Sequence, residues 1–157
     1  GYTSRFLTLT KGTGVINRIF HGYGKFEGEM DGRKNGALIS MANGKAVAFA
    51  IFNLQARGEM FVTHNDPVYE GMIVGLAPKA GDMIINVMKG KQLTNMRTQG
   101  TDENVVLTPV RQMSIAEQLS MLNTDEALEI TPKSLRLRKA ILNPNDRKKN
   151  EKSSTPL

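Results

Sequence analysis

The chain lacks the residues on which several kinds of functional site depend. Its 157 residues include no cysteine, which excludes disulfide bonds and thiolate metal sites and fits a reducing cytosol. The two histidines, His21 and His64, have no second histidine at a metal-site spacing, and the one nearby carboxylate is Asp66. We therefore expect both histidines in surface or packing roles and no bound metal.

Aromatic residues and long apolar runs are also scarce. Tryptophan is absent and aromatic residues make up 6% of the chain, which argues against the base-stacking platforms of single-strand-binding proteins. No run approaches the roughly 20 apolar residues that span a bilayer, and the N-terminus lacks a basic region followed by an apolar one. We therefore expect no membrane partner and no secretion signal.

Catalytic sets are missing as well. Neither Gly44-Lys45 nor Gly90-Lys91 is followed by the serine or threonine that completes a phosphate-binding P-loop. Ser114 and Ser134 are better explained as helix-start residues than as nucleophiles. We expect no catalytic residue and no cofactor in this chain. Because it begins with Gly1 and not with Met, we expect a processed or excised piece of a longer protein, without that protein's catalytic part.

Positive charge is what the chain has in excess. It carries 21 lysine and arginine residues against 15 acidic ones, a formal charge of +6, and its sequence pI is near 9.7. Such a balance favours an anionic partner. By charge alone, nucleic acid is the first candidate and an acidic membrane surface the second, and of the two we expect nucleic acid. The 39% of hydrophobic residues is enough to bury a core.

The most informative stretch is a polar run over residues 89–100, bounded by glycines and lying between two apolar segments of strand composition, 83–88 and 105–107. Its cations suit phosphate, and its amide and hydroxyl groups suit sugar and base edges, so it predicts an RNA-binding loop on a sheet. A hydrophilic surface loop is the alternative. The candidate residues are Lys89, Gly90, Lys91, Gln92, Leu93, Thr94, Asn95, Met96, Arg97 and Thr98.

Basic residues cluster a second time near the C-terminus. They would form a stripe on a predicted helix that continues into a flexible tail, although a solvated helix face is the alternative. Together with the loop, they would give a separated, multivalent cationic surface suited to a large polyanion. A protein–protein interaction domain whose basic surface only provides solubility remains open. The residues are Lys133, Arg136, Arg138, Lys139, Arg147, Lys148 and Lys149.

The predicted fold is α+β, with a mainly antiparallel sheet or small barrel followed by C-terminal helices. We expect a helix over residues 2–10 and a strand over 15–21, which together form the end of a domain that begins upstream. Glycine-rich residues 22–36 are expected to be a linker. The predicted domains are 1–24, 25–143 and a basic flexible tail, 144–157.

Within the second domain, the Asn43-Gly44 turn predicts a hairpin of residues 37–41 and 45–52. Further strands are predicted at the apolar segments 59–63, 68–74, 83–88 and 105–108. Ser114 and Glu117 form a capping box at the start of one helix. A second helix is predicted from Thr131-Pro132 to Leu142, ended by Asn143-Pro144.

Four strings resemble the C-terminal part of the bacterial BipA (TypA) translational GTPases: residues 33–41, 52–58, 68–75 and the Leu-Thr-Asn-Met-Arg of 93–97. The similarity covers nearly the whole chain. It implies that residues 2–23 end a ferredoxin-like domain similar to domain V of elongation factor G, and that the rest is the C-terminal domain peculiar to the family. Gln92 departs from the pattern, because some members have a second adjacent lysine there.

The resemblance also implies a function. The intact protein would be a cytoplasmic, monomeric GTPase that binds GTP and Mg²⁺ upstream of this chain and acts on the ribosome, in translation regulation or ribosome assembly under stress. The C-terminal domain would reach into the A site. Its loop, residues 89–100 here, would contact large-subunit rRNA and the acceptor end of the A-site tRNA.

Overall fold

The computed structural model describes residues 2–25, 33–90 and 106–154, which fold as α+β with mostly antiparallel strand pairs, as predicted. The helices are Tyr2–Leu9 (α1), Ala48–Gln55 (α2), Ile115–Ser120 (α3) and Pro144–Ser154 (α4). The strands are Ala37–Ser40 (β1), Gly44–Lys45 (β2), Glu59–Met60 (β3), Pro67–Val68 (β4), Ile73–Leu76 (β5), Met83–Ile85 (β6), Glu126–Ile130 (β7) and Leu135–Lys139 (β8).

A four-stranded sheet in the order β3-β5-β1-β6 lies at the centre of the domain. β5 pairs antiparallel with both β1 and β3, whereas β6 runs parallel to β1. The short pairs β2–β4 and β7–β8 form two separate antiparallel sheets. All four residues of β1 are buried, as expected of a strand with neighbours on both edges.

The central sheet has a core on each face because side chains alternate along its strands. Leu38 and Val74 belong to a cluster with Ile51 and Leu54 of α2. Ala37, Ile39 and Ile73 belong to a second cluster, with Leu137 of β8. The sheet is therefore enclosed between α2 and the β7–β8 hairpin, and full burial of a residue such as Leu38 contributes about 1.5–3 kcal/mol.

The predicted hairpin of residues 37–52 is wrong. Its second arm forms α2, because Ala50, Ile51 and Leu54 have helical spacing and bury one face against the sheet. The alternation of alanines with larger residues at 46–51 was a misleading strand signal. Asn43 does not link two arms of a hairpin: its Oδ1 accepts a hydrogen bond from the Glu70 backbone N–H at 2.9 Å, and β2 pairs with β4.

The predicted helix over residues 131–142 is also wrong, since these residues complete the β7–β8 hairpin. Thr131 and Ser134 form its turn: the Thr131 N–H donates to the Ser134 carbonyl at 2.9 Å, and the Ser134 N–H donates to Thr131 Oγ1 at 3.0 Å. Leu137 points into the core while its neighbours Arg136 and Arg138 lie half-buried, a period of two that favours a strand.

The end of the chain forms a helix that was not predicted, and Asn143 caps its start. Asn143-Pro144 begins a helix instead of ending one, because Asn143 Oδ1 accepts from the backbone N–H groups of Asn145 (2.9 Å) and Asp146 (3.4 Å), and proline is tolerated at a first helical position. Residues 144–154 are therefore helical where a flexible tail was expected.

The two predicted helices α1 and α3 are present, whereas two predicted strands are absent from the described residues. The helix near residues 2–10 is confirmed as α1, and α3 begins as predicted, with Ser114 Oγ accepting from the Glu117 N–H at 3.3 Å. The Glu117 carboxylate instead contacts Arg111. Residues 13–25 and 106–108 have no regular secondary structure, so the strand predicted at 15–21 is wrong, and so is the described part of the strand predicted at 105–108.

Candidate RNA-binding surface

The structure describes only the first two residues of the predicted RNA-binding loop. Lys89 and Gly90 are exposed at the end of the segment that follows β6. Lys91, Gln92, Leu93, Thr94, Asn95, Met96, Arg97 and Thr98 lie outside the described residues, so their role stays a prediction. The structure does show how the chain is held on both sides of them.

The chain that leads into the loop is fixed to the domain core. Val87 is fully buried, and its carbonyl accepts a hydrogen bond from the Val47 N–H at 2.9 Å. The Ile85 carbonyl accepts from the Met41 N–H at 3.0 Å. Lys89 follows Val87 by two residues, so a rigid backbone presents it to solvent.

The chain that returns from the loop is held by one glutamine. Gln55, the last residue of α2, donates from Nε2 to the Thr108 carbonyl at 2.9 Å and accepts at Oε1 from the Thr108 N–H at 3.1 Å. Leu107 packs against the core cluster beside it. Sequence reasoning missed this contact because Gln55 and Thr108 are 53 positions apart and neither stands out in its own segment.

Two arginines of the predicted basic stripe share an acidic partner. Glu129 lies 3.4 Å from Arg136 Nη1 and 3.8 Å from Arg138 Nε, and it accepts a hydrogen bond of 2.7 Å from the Tyr69 hydroxyl. Burial and this bond to Glu129 raise the pKa of Tyr69 to about 12. The positive charge of both arginines is therefore partly compensated within the domain.

Lys139 is not a surface residue, which corrects its place in the basic stripe. It is 2% exposed, and its ammonium lies 2.5 Å from Asp82, 2.7 Å from Asp125 and 3.0 Å from Glu126. Burial alone would lower the pKa of Lys139, but hydrogen bonds to the three carboxylates outweigh it and hold the pKa above its usual value. Lys139 is unsuited to RNA contact because it is enclosed and neutralised.

Arg33 extends this charge cluster, whose outer members Asp82 and Asp125 reach solvent, to the start of the domain. Its guanidinium makes two hydrogen bonds to Glu126, of 2.6 and 3.1 Å. Asp82 accepts at Oδ1 from the Ala37 N–H at 2.7 Å. Burial would raise the pKa of Asp82, but this N–H and Lys139 together lower it. The cluster of Arg33, Asp82, Asp125, Glu126 and Lys139 thus joins the domain start, the turn before β6 and the hairpin.

The other predicted basic residues divide between the hairpin and α4. Lys133 is exposed in the hairpin turn, and Lys148 is exposed on α4. Arg147 donates to the carbonyls of Ile141 (2.9 Å) and Leu142 (2.6 Å). Lys149 is exposed, with a weak contact of 3.5 Å to Asp146.

The described ranges 2–25, 33–90 and 106–154 contain neither a cluster of metal ligands nor a membrane-spanning helix. No group of three or more histidine or carboxylate side chains is placed there to hold a metal ion. None of the helices in those ranges has the length and apolar character needed to cross a bilayer.

Comparison with known families decides the affiliation. The sequence model of the TypA/BipA C-terminal domain matches residues 35–144, which is most of the chain. The chain belongs to the TypA/BipA family. The resemblance drawn from the four sequence strings is thereby confirmed, and the match includes the central sheet, α2 and the β7–β8 hairpin.

Curated TypA/BipA relatives extend the similarity to the whole chain. A protein of Buchnera aphidicola (subsp. Schizaphis graminum), named large ribosomal subunit assembly factor BipA, is 47% identical over 158 residues, covering 100% of this chain and 26% of the relative. Proteins of the same name from Salmonella typhimurium and Escherichia coli K12 are each 47% identical over 150 residues, covering 95% of this chain and 25% of the relative. The chain thus spans about a quarter of the length of these relatives.

Proposed function

We propose that this chain is the ribosome-binding part of a translational GTPase that acts in assembly of the large ribosomal subunit or in translation regulation under stress. The observation that carries the proposal is the 47% identity over 100% of the chain to a relative named as a large-subunit assembly factor. The formal charge of +6 supports an RNA partner.

The proposed contact with large-subunit rRNA and the tRNA acceptor end is the loop that starts at Lys89. Two features support it. The loop carries lysine, arginine, amide and hydroxyl groups suited to phosphate and base edges. The chain is held to the domain on both sides of the loop, at Val87 and at Thr108, and binding residues are commonly carried by segments that a rigid scaffold holds. Exposed Lys133, Lys148 and Lys149 would add weaker phosphate contacts, with Arg136, Arg138 and Arg147 contributing less because each is engaged within the domain.

The GTP and Mg²⁺ site of the intact protein is proposed to lie upstream of this chain, in a cytoplasmic, monomeric protein. No P-loop sequence is present here, and the chain matches about a quarter of its relatives. The isolated chain should therefore not hydrolyse GTP, whereas the intact protein should. Turnover of radiolabelled GTP by the isolated chain would contradict this division.

Residues 1–24 are proposed to complete a ferredoxin-like domain. The support is the apolar surface they present: Ile19 is 92% exposed and Tyr23 is 100% exposed in the chain as described. Such surface is normally covered by other protein. In the intact protein, the amides around Ile19 should exchange hydrogen more slowly than in the isolated chain, and equal exchange would contradict the proposal.

Co-sedimentation with purified large subunits at rising salt tests RNA binding. If phosphate contacts dominate, log affinity falls linearly with log salt concentration, with a slope set by the number of contacts. Binding that ignores salt would instead favour a protein–protein interaction domain with a basic solubilising surface.

A further inference from the structure

An open groove of about 990 Å³ lies between the β7–β8 hairpin and residues 110–118, and neither Lys89 nor Gly90 lines it. Apolar side chains of Phe61, Met113, Ile115 and Leu135 form part of its wall. Its volume is within the range of pockets that bind small organic ligands.

Gln118 in this wall has an unmet hydrogen-bonding capacity. The residue is only 8% exposed, and its Oε1 accepts no hydrogen bond. Its Nε2 makes one long contact of 3.4 Å with the Met113 carbonyl. Buried side-chain oxygens normally have a donor, because an unsatisfied one costs free energy, so the amide is available for a ligand that supplies an N–H.

Charge at the groove favours an anionic ligand. Its charged lining consists of Asp66 and three cations, Arg111, Lys133 and Arg136. Arg111 contacts Glu117, and Arg136 contacts Glu129. Lys133 is exposed and has no carboxylate within ion-pair distance in the described part of the chain. It is therefore placed to meet a phosphate at the mouth.

An added peptide strand is less well matched, since it would need free backbone groups along the wall. The Phe61 N–H already donates to Val74 at 2.8 Å, and the Thr63 N–H donates to Asp66 Oδ2 at 2.8 Å. The Thr131 N–H is used within the hairpin turn. Gln118 keeps an unpaired acceptor on a side-chain amide, and an amide offers a donor and an acceptor side by side, as base edges require.

We propose that the groove binds one unpaired nucleotide of an RNA strand. The base lies against the apolar wall and donates an N–H to Gln118 Oε1, while its phosphate contacts Lys133. Because Oε1 is buried in the free protein, the Gln118 side chain must turn toward the groove when the base enters. This inference rests on the proposed RNA-binding function. The groove would be a second RNA-binding site, in addition to the one proposed at the loop.

The test uses the full 157-residue chain, labelled with ¹⁵N and titrated with short single-stranded oligoadenylate, oligocytidylate and oligouridylate. At least one RNA should shift the side-chain amide resonances of Gln118. Gln118→Met, which keeps the length and removes the amide, should weaken that RNA about tenfold, the usual scale for losing a paired base contact. Lys133→Ala should weaken it a few-fold and lower the salt slope by about one. Lys79→Ala, an exposed lysine outside the groove, should change neither.

Unchanged Gln118 resonances with all three RNAs, or equal affinity in Gln118→Met, would overturn the proposal. An acidic peptide that shifts these resonances where no RNA does would overturn it in favour of a protein ligand. Replacing the loop cations Lys89, Lys91 and Arg97 by alanine should leave the Gln118 shifts intact. If the chain fails to bind ribosomes while RNA still shifts Gln118, the proposed function fails and the groove assignment stands.

Discussion

At Lys139, three carboxylates surround one enclosed ammonium, and this arrangement gives a basic residue a structural role. Sequence alone placed Lys139 on a cationic surface, because it follows Arg136 and Arg138 in the chain. On a strand, however, neighbours point to opposite faces, so Lys139 is directed inward with Leu137. Its partner Asp82 comes from the turn before β6, and Asp125 becomes its neighbour only when the β7–β8 hairpin forms, so no local pattern reveals either contact.

Lys139→Met should destabilise the domain by about 3 kcal/mol, because it removes the counter-charge of Asp82 and Asp125 and leaves Glu126 with Arg33 alone. The free energy of unfolding in urea measures this. Lys133→Met on the same hairpin is the matched control and should stay within about 0.5 kcal/mol of the unmodified chain, since Lys133 is exposed. Equal effects of the two substitutions would contradict the role assigned to Lys139.

The Asp82 carboxylate should make stability depend on acidity. Its pKa in the folded protein is lowered from the ordinary value of 3.8, so the folded state favours the ionised form. The stabilisation is present above pH 3.8 and is lost as the pH falls through the folded-state pKa. The difference in unfolding free energy between the unmodified chain and Asp82→Asn should therefore shrink on acidification below about pH 4. A constant difference across that window would show that Asp82 does not contribute through its charge.

At the scale of elements, the sequence predicted correctly a feature that depends on neighbouring residues. It failed for an element whose structure depends on contacts with other parts of the fold. The start of α3 was predictable because Ser114 caps its own helix. The β7–β8 hairpin was not, since leucines 135 and 142 are also spaced seven apart as on a helix. The period-two alternation at residues 135–139 was the signal that would have found it.

Gly71 holds the docked hairpin close to the sheet. It has φ +83, and an added Cβ would lie 2.7 Å from Leu142 Cα, while its carbonyl accepts from the Lys139 N–H at 2.9 Å. Gly71→Ala should therefore combine backbone strain with a clash. Gly81→Ala, at φ +99 with open space around it, should cost about 1–2 kcal/mol for strain alone. Gly71→Ala should cost about 1–3 kcal/mol more by urea unfolding, and equal costs would contradict this docking.

The Gln55–Thr108 contact should control the order of the chain returning from the loop. Gln55→Ala removes two hydrogen bonds and should speed hydrogen exchange at the Thr108 amide, with little effect on Ile51 within α2. Gln55→Glu can still accept from the Thr108 N–H but no longer donates to its carbonyl. It should therefore give an intermediate exchange rate. No change in either variant would mean that another contact holds this segment.

At the scale of the whole molecule, the α+β class and the family were predictable from the sequence. Which basic residues are enclosed and which face solvent was not. Composition gives the net charge of +6 but not which cations are enclosed. Lys139 and Arg33 are used inside the fold, whereas Lys89 and Lys133 face solvent. Burial depends on tertiary contacts, so sequence overestimated the C-terminal basic surface. The loop over residues 89–100 stays a prediction from sequence, based on a polar run between apolar segments.

The most direct test of ribosome binding through the loop is co-sedimentation of the chain with purified large subunits at fixed, near-physiological salt. Replacing Lys89, Lys91 and Arg97 by alanine should weaken binding at least tenfold while leaving the unfolding free energy nearly unchanged. The control removes three exposed lysines elsewhere, Lys25, Lys34 and Lys79, and matches the change in charge. It should weaken binding much less. Equal loss in both triple variants, or none in the loop variant, would contradict the account.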